Sequence, residues 1–99
     1  MVERHHYFKL KDEFATEAGR AALAAAMRET LPGLPGVREV VVGLPADEDA
    51  EVWDVALRVR FDSMEDLQAY RADAAHRQFA DEVVVPQVEI KKIWNFRID

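Results

Sequence analysis

The segment from Phe61 to Phe79 constrains the fold of this chain more than any other, because a strand end and two successive helix starts follow one another without slack. Phe61 closes an alternation in which Val55, Leu57, Val59 and Phe61 interleave with Asp54, Ala56, Arg58 and Arg60. That period of two marks a half-buried strand, with its arginines pointing away from the covered side. Ser63 followed by Asp66 has the form of a capping box, after which Met64, Leu67 and Tyr70 fall on one helical face. Asp73 is placed to cap a further helix, in which His76, Phe79 and Val83 recur at i, i+3 and i+7. Pro86 is expected to break that helix.

The rest of the chain supplies the partners. His5 to Lys11 alternates, with His6, Phe8 and Leu10 on one face and His5, Tyr7 and Lys9 on the other, and reads as a first strand. Leu23, Met27 and Leu31 recur every fourth position in a helix predicted from Thr16 to Leu31, and Pro32-Gly33 ends the pattern. Gly19 inside it costs about 1 kcal/mol relative to Ala, which favours a start after Thr16. Val37 to Gly43 is a β-branched second strand, in a hairpin with the third across the acidic loop Pro45 to Glu51. Val88 to Ile98 closes the domain as a strand, with Ile90, Trp94 and Phe96 on one face and Ile93 on the other.

The order is β-α-β-β-α-β over a single domain, residues 1–99, with the second helical unit broken near Ala72. This is an α+β, ferredoxin-like arrangement with a four-stranded antiparallel sheet. Helices cover one face of such a sheet and leave the other bare. Tyr7, Val40, Val42 and Ile93 are expected to line the bare face, with Trp53 at its edge. A bare sheet is ordinarily buried, so the expected partner is a second copy packed sheet to sheet.

Composition narrows the function. The absence of cysteine excludes disulfides, thiolate zinc sites and a cysteine nucleophile. A net charge of −6 with scattered basic residues argues against nucleic acid. No apolar run approaches the roughly 20 residues that span a bilayer. The N-terminal Met1-Val2-Glu3-Arg4-His5-His6 lacks the apolar core of a secretory signal, so a cytoplasmic location is expected. Alanine-rich helices that prefer Arg to Lys point to a bacterial source. No glycine-rich phosphate loop is present, and no cofactor is expected. Asp47, Glu48, Asp49 and Glu51 lack the glycine and terminal glutamate of a calcium loop and read as a solvated hairpin tip. His5, His6 and His76 do not make a metal site, because neighbouring strand residues point to opposite faces.

Two readings of His76 stay open: a half-buried histidine bonded to a backbone carbonyl, or a general base or acid with a pKa suited to neutral pH. Tyr70 shares the inward stripe with Leu67 and reads as a core residue with its hydroxyl at the rim. His6 has the strand parity of Phe8 and is expected to reach the same pocket as His76.

Three segments, Phe8-Lys9-Leu10-Lys11, Pro35-Gly36-Val37 and the run from Phe61 through Tyr70 to Ala75-His76-Arg77-Gln78-Phe79, together resemble the stress-responsive α/β-barrel domain family, a branch of the dimeric α+β barrel proteins. The resemblance implies a small dimer in which each subunit holds a small-molecule pocket between sheet and helices. It implies His76 and Tyr70 as candidate catalytic residues; Arg4, His6 and Phe79 are the candidate contacts for a small hydrophobic or aromatic ligand. Plant polyketide cyclases of the family close a poly-β-keto chain through an aldol step, so cyclase-like or lyase-like proton transfer is one implied activity. Cofactor-free oxygenation of aromatic substrates is another. The chain departs from the family pattern at Arg4, where a histidine is common, and at Asp73-Ala74, where His-Pro is usual. Arginine keeps its proton at neutral pH and is no general base, but it can bind an anion.

Overall fold

The computed structural model describes residues 1–47 and 53–99. Strand β1 runs Val2–Leu10, helix α1 Glu17–Thr30, β2 Glu39–Gly43 and β3 Val55–Phe61. Helices α2 (Met64–Ala72) and α3 (Ala74–Phe79) follow, then β4 at Val88–Arg97. The antiparallel sheet has the order β2-β3-β1-β4, which makes this a ferredoxin-like α+β fold.

Local chemistry sets the helix starts as their sequences predict. Thr16 caps α1 by accepting a hydrogen bond from the Gly19 N–H at 3.0 Å. Gly19 is required there, because a Cβ would collide with the Phe14 carbonyl oxygen. Ser63 caps α2 through the Asp66 N–H, and Asp73 caps α3 through the His76 N–H. Gly36 takes a left-handed φ of +82° in the turn that brings the chain against the first turn of α2.

The core lies between the sheet and the helices. Phe8, Leu10, Val55, Leu57, Val59 and Phe61 from the strands meet Leu23 and Met27 of α1 and Leu67 and Tyr70 of α2, all buried. Met64 departs from its expected place: it is 42% exposed, and Leu67 and Tyr70 alone carry the inward stripe. Asp54, expected among the outward polar residues, is buried. Its carboxylate accepts from the Leu10 N–H at 2.7 Å and from Arg20 Nε at 2.8 Å, tying β1, α1 and β3 together.

The sheet register corrects the expected lining of the bare face. Val40 pairs with Val59, Val42 with Leu57, and Ile93 with His6, so all three point toward the helices. The open face instead carries Tyr7, Val41, Ile90, Trp94 and Phe96. Trp53 does belong there, with its ring centroid 6.2 Å from that of Tyr7. β2 is shorter than predicted, beginning at Glu39, because Val37 closes a turn onto the Leu34 carbonyl. Asp47 is exposed as predicted, whereas Glu48, Asp49 and Glu51 lie outside the described residues.

Pro86 does not break α3. The helix widens into a π-helical turn at Ala80–Val84, and Pro86 follows inside the 3-10 turn Val85–Gln87, where its missing N–H leaves no bond unmade.

Candidate functional site

The broken helical layer leaves a cavity of about 300 Å³ against the β1 and β4 side of the sheet, at the small end of ligand-site volumes. Arg4, His6 and Phe8 reach it from successive inward positions of β1, Ile93 and Lys91 from β4, and Met27 and Leu31 from α1. Tyr70, His76 and Phe79 close it from α2 and α3, and Ala80 and Val84 from the π-helical turn. A β-bulge between Lys9/Leu10 and β4 leaves Glu89 without a pairing partner, which turns both Val88 and Glu89 toward the cavity mouth.

All five residues singled out from the sequence, Arg4, His6, Tyr70, His76 and Phe79, therefore border one space. Two strands' worth of pairing and two capping residues achieve this. Asp73 starts α3 immediately after α2 ends, and this abrupt restart lays the His76 ring on the Tyr70 ring, centroids 4.0 Å apart at 37°. Tyr70 rests in turn on buried Phe61, 4.9 Å away.

The polar groups of the site are electrostatically unbalanced. Burial lowers the pKa of His6 to about 3, assisted by the Arg4 charge, and keeps it neutral. Its Nδ1 lies 3.4 Å from the Leu57 carbonyl, a long hydrogen bond that assigns the proton to Nδ1 and leaves Nε2 as an acceptor. His76 is half-buried. Desolvation and Arg4 lower its pKa, opposed by the backbone of Arg71 and the Asp73 carboxylate. The Arg71 carbonyl favours the proton without forming a hydrogen bond: among the described residues, Nδ1 of His76 is the one buried side-chain polar atom left without a partner. Burial pushes the Tyr70 hydroxyl pKa up, with Arg4 acting in the opposite sense. Arg4 itself donates to Asn95 Oδ1 at 3.0 Å.

The arrangement offers an apolar slot bordered by a cation, two neutral imidazoles and a phenol. A neutral imidazole beside a fixed positive charge can accept a proton, and the cation and phenol can stabilise an oxyanion. Among the described residues no group of three or more His, Asp or Glu is arranged to hold a metal ion, and no helix is long and apolar enough to cross a membrane.

Sequence reasoning did not find Glu89, Lys91 or the π-helical turn. Met27 and Leu31 were legible only as core positions, and a bulge leaves no mark in hydrophobic periodicity.

The model of the Stress Responsive A/B Barrel Domain matches residues 2–96. The chain belongs to that family. Solved structures of the same fold include a dimeric ferredoxin-like protein of unknown function from Bacteroides fragilis, 23% identical with a TM-score of 0.77, which covers 98% of this chain and 95% of that one. A member of the family from Mesorhizobium loti is 15% identical, with a TM-score of 0.82 over 98% of this chain and 95% of its own. The hydroxynitrile lyase of Passiflora edulis is 18% identical, with a TM-score of 0.81 over 99% of this chain and 93% of its own. No functionally curated protein matches the chain in sequence. At these identities the solved relatives establish the fold of this A/B barrel domain, and its chemistry rests on its own cavity.

Proposed function

We propose that this A/B barrel domain binds a small molecule with an apolar body and one oxygen-bearing head, and that His76 exchanges a proton with the bound molecule. The observation that carries this reading is the buried, unpartnered Nδ1 of a histidine that borders a cavity. A buried polar atom left without a partner costs about 1–3 kcal/mol, and such an arrangement is retained where a ligand completes it. With a carbonyl compound, the imidazole takes the proton from the carbon next to the carbonyl, giving an imidazolium and an enolate. Tyr70 and Arg4 face the developing negative charge on oxygen, and the proton returns to carbon or to a leaving group. That the same fold carries a hydroxynitrile lyase in Passiflora edulis supports an enzymatic reading of this cavity.

The protein works as a homodimer in this proposal, through the open sheet face. Trp94 at 50% exposure, Phe96 at 46% and Val41 at 41% stand on that face with Tyr7 and Trp53, too much apolar surface on one side of a small domain to be left to water. The dimeric state of the Bacteroides relative supports it.

The proton-transfer reading is tested by incubating the protein with 4-phenyl-2-butanone in deuterated buffer and following loss of the proton signals beside the carbonyl. Exchange faster than buffer, lost in His76→Leu, is the expected result. Exchange no faster than buffer, or unaffected by the substitution, overturns it. Sedimentation should give twice the chain mass, and Trp94→Glu should reduce it to one.

A further inference from the structure

The charge of Arg4 has no partner that accounts for it. Arg20, Arg38, Arg58, Arg60 and Arg97 each lie within 4 Å of a carboxylate. Arg4 is half-buried and borders the cavity, and among the described residues it has no carboxylate in that range and bonds only to the neutral amide oxygen of Asn95. The charges around it make the imbalance larger. Arg71 of α2 is a second cation acting on it, His6 and His76 are neutral, and Tyr70 keeps its proton. Asp73 is engaged as the cap of α3, and Glu89 and Lys91, of opposite charge, are both exposed. A net positive end therefore sits inside a protein of net charge −6.

We infer that the cavity prefers small carboxylates to neutral molecules of the same shape, a planar aromatic or branched aliphatic body filling the apolar slot while the carboxylate pairs with Arg4. This rests on the small-molecule reading above and adds the charge of the ligand to it. A guanidinium has five N–H donors in a planar fork, and the bond to Asn95 orients it while leaving donors for a bidentate carboxylate. One guanidinium matches a monoanion. A phosphate dianion would bring a second charge into a slot walled by Phe8, Met27, Leu57, Phe79, Val84 and Ile93, and of the other cations nearby Arg71 does not line the cavity and Lys91 is exposed. The same cation lowers the imidazole pKa values of His6 and His76, so an anion that neutralises it makes both histidines more basic.

The experiment compares benzoate with benzamide, which share shape and differ in charge, by NMR titration of the ¹⁵N-labelled protein. Benzoate should bind about tenfold or more tightly than benzamide, shifting Phe79 and the His76 ring. Arg4→Met should remove the preference, bringing the benzoate affinity down to that of benzamide or below. In the unsubstituted protein, saturating benzoate should raise the titration midpoint of the His76 imidazole and benzamide should not, a readout that needs no variant to fold. Equal affinity for the two probes overturns the inference and leaves the pocket reading intact, as does a benzoate preference that survives in Arg4→Met. Binding of neither probe overturns both.

Discussion

On the open face of the sheet, Glu3 is buried and yet accepts from Arg60 at 2.8 Å, approaches Arg58 at 3.7 Å and bonds His5 at 3.0 Å. One residue along the same strand but on the covered face, Arg4 and the His76 ring lie beside a cavity with no carboxylate bound to either. The two faces thus solve opposite problems with the same residue types. The open face gathers its charges into a mutually satisfied network, also reaching Glu39 through Arg58, which stabilises the sheet and suits a wet interface. The covered face instead leaves a guanidinium without a carboxylate and a buried imidazole nitrogen without a partner among the described residues.

That contrast can be broken at several points. The largest effect belongs to the layer beneath both faces: Phe61→Ala removes the buried ring on which Tyr70 rests and should cost about 3–5 kcal/mol in urea denaturation. Survival of full stability would show that the cavity is not supported from this side. Acidification comes next. His6 is held neutral with its pKa lowered from 6.5 to about 3, so the unfolded chain binds more protons between those values. Stability present above pH 6.5 is therefore lost progressively as pH falls toward 3. His6→Leu should flatten this slope, and an unchanged slope would remove His6 from the account.

Glu3→Gln should cost about 1–3 kcal/mol, because it removes the buried negative charge that Arg58 and Arg60 share and leaves only a neutral amide oxygen to accept from them. The hydrogen bond from His5, followed by the arginine contacts, lowers the Glu3 pKa from 4.5. Its contribution is thus present above pH 4.5 and lost as pH falls through the lowered value, so parent and variant should converge in acid. The smallest effect is expected at the site itself. His76→Leu should change stability by less than about 1 kcal/mol in either direction while abolishing proton exchange, because it removes a group with an unpaired buried nitrogen. A large loss of stability there would return His76 to the role of a structural residue.

Much of the fold was legible from local rules. Ser63 and Asp73 announce α2 and α3 because capping is settled within four residues of chain, and the Val55–Phe61 alternation announces β3 because side chains must take turns across a pleated sheet. Strand faces were less secure. In β2, Val40, Val41 and Val42 are chemically alike, so no alternation distinguishes inside from outside, and only pairing with Leu57 and Val59 decides that Val41 faces outward. Ile93 likewise takes its face from His6 across the ladder.

What the sequence by itself determined is the list of chemically capable residues and the elements that carry them: an arginine, two histidines and a tyrosine on inward positions of β1, α2 and α3. Tertiary structure alone decided that these converge on one cavity, that a bulge and a π-helical turn shape its mouth, and that Arg4 and His76 remain unpaired while Glu3 and Asp54 do not. The physical reason is range. Propensity, capping and periodicity act over a few residues, whereas desolvation and ion pairing depend on which distant segments the sheet register brings together.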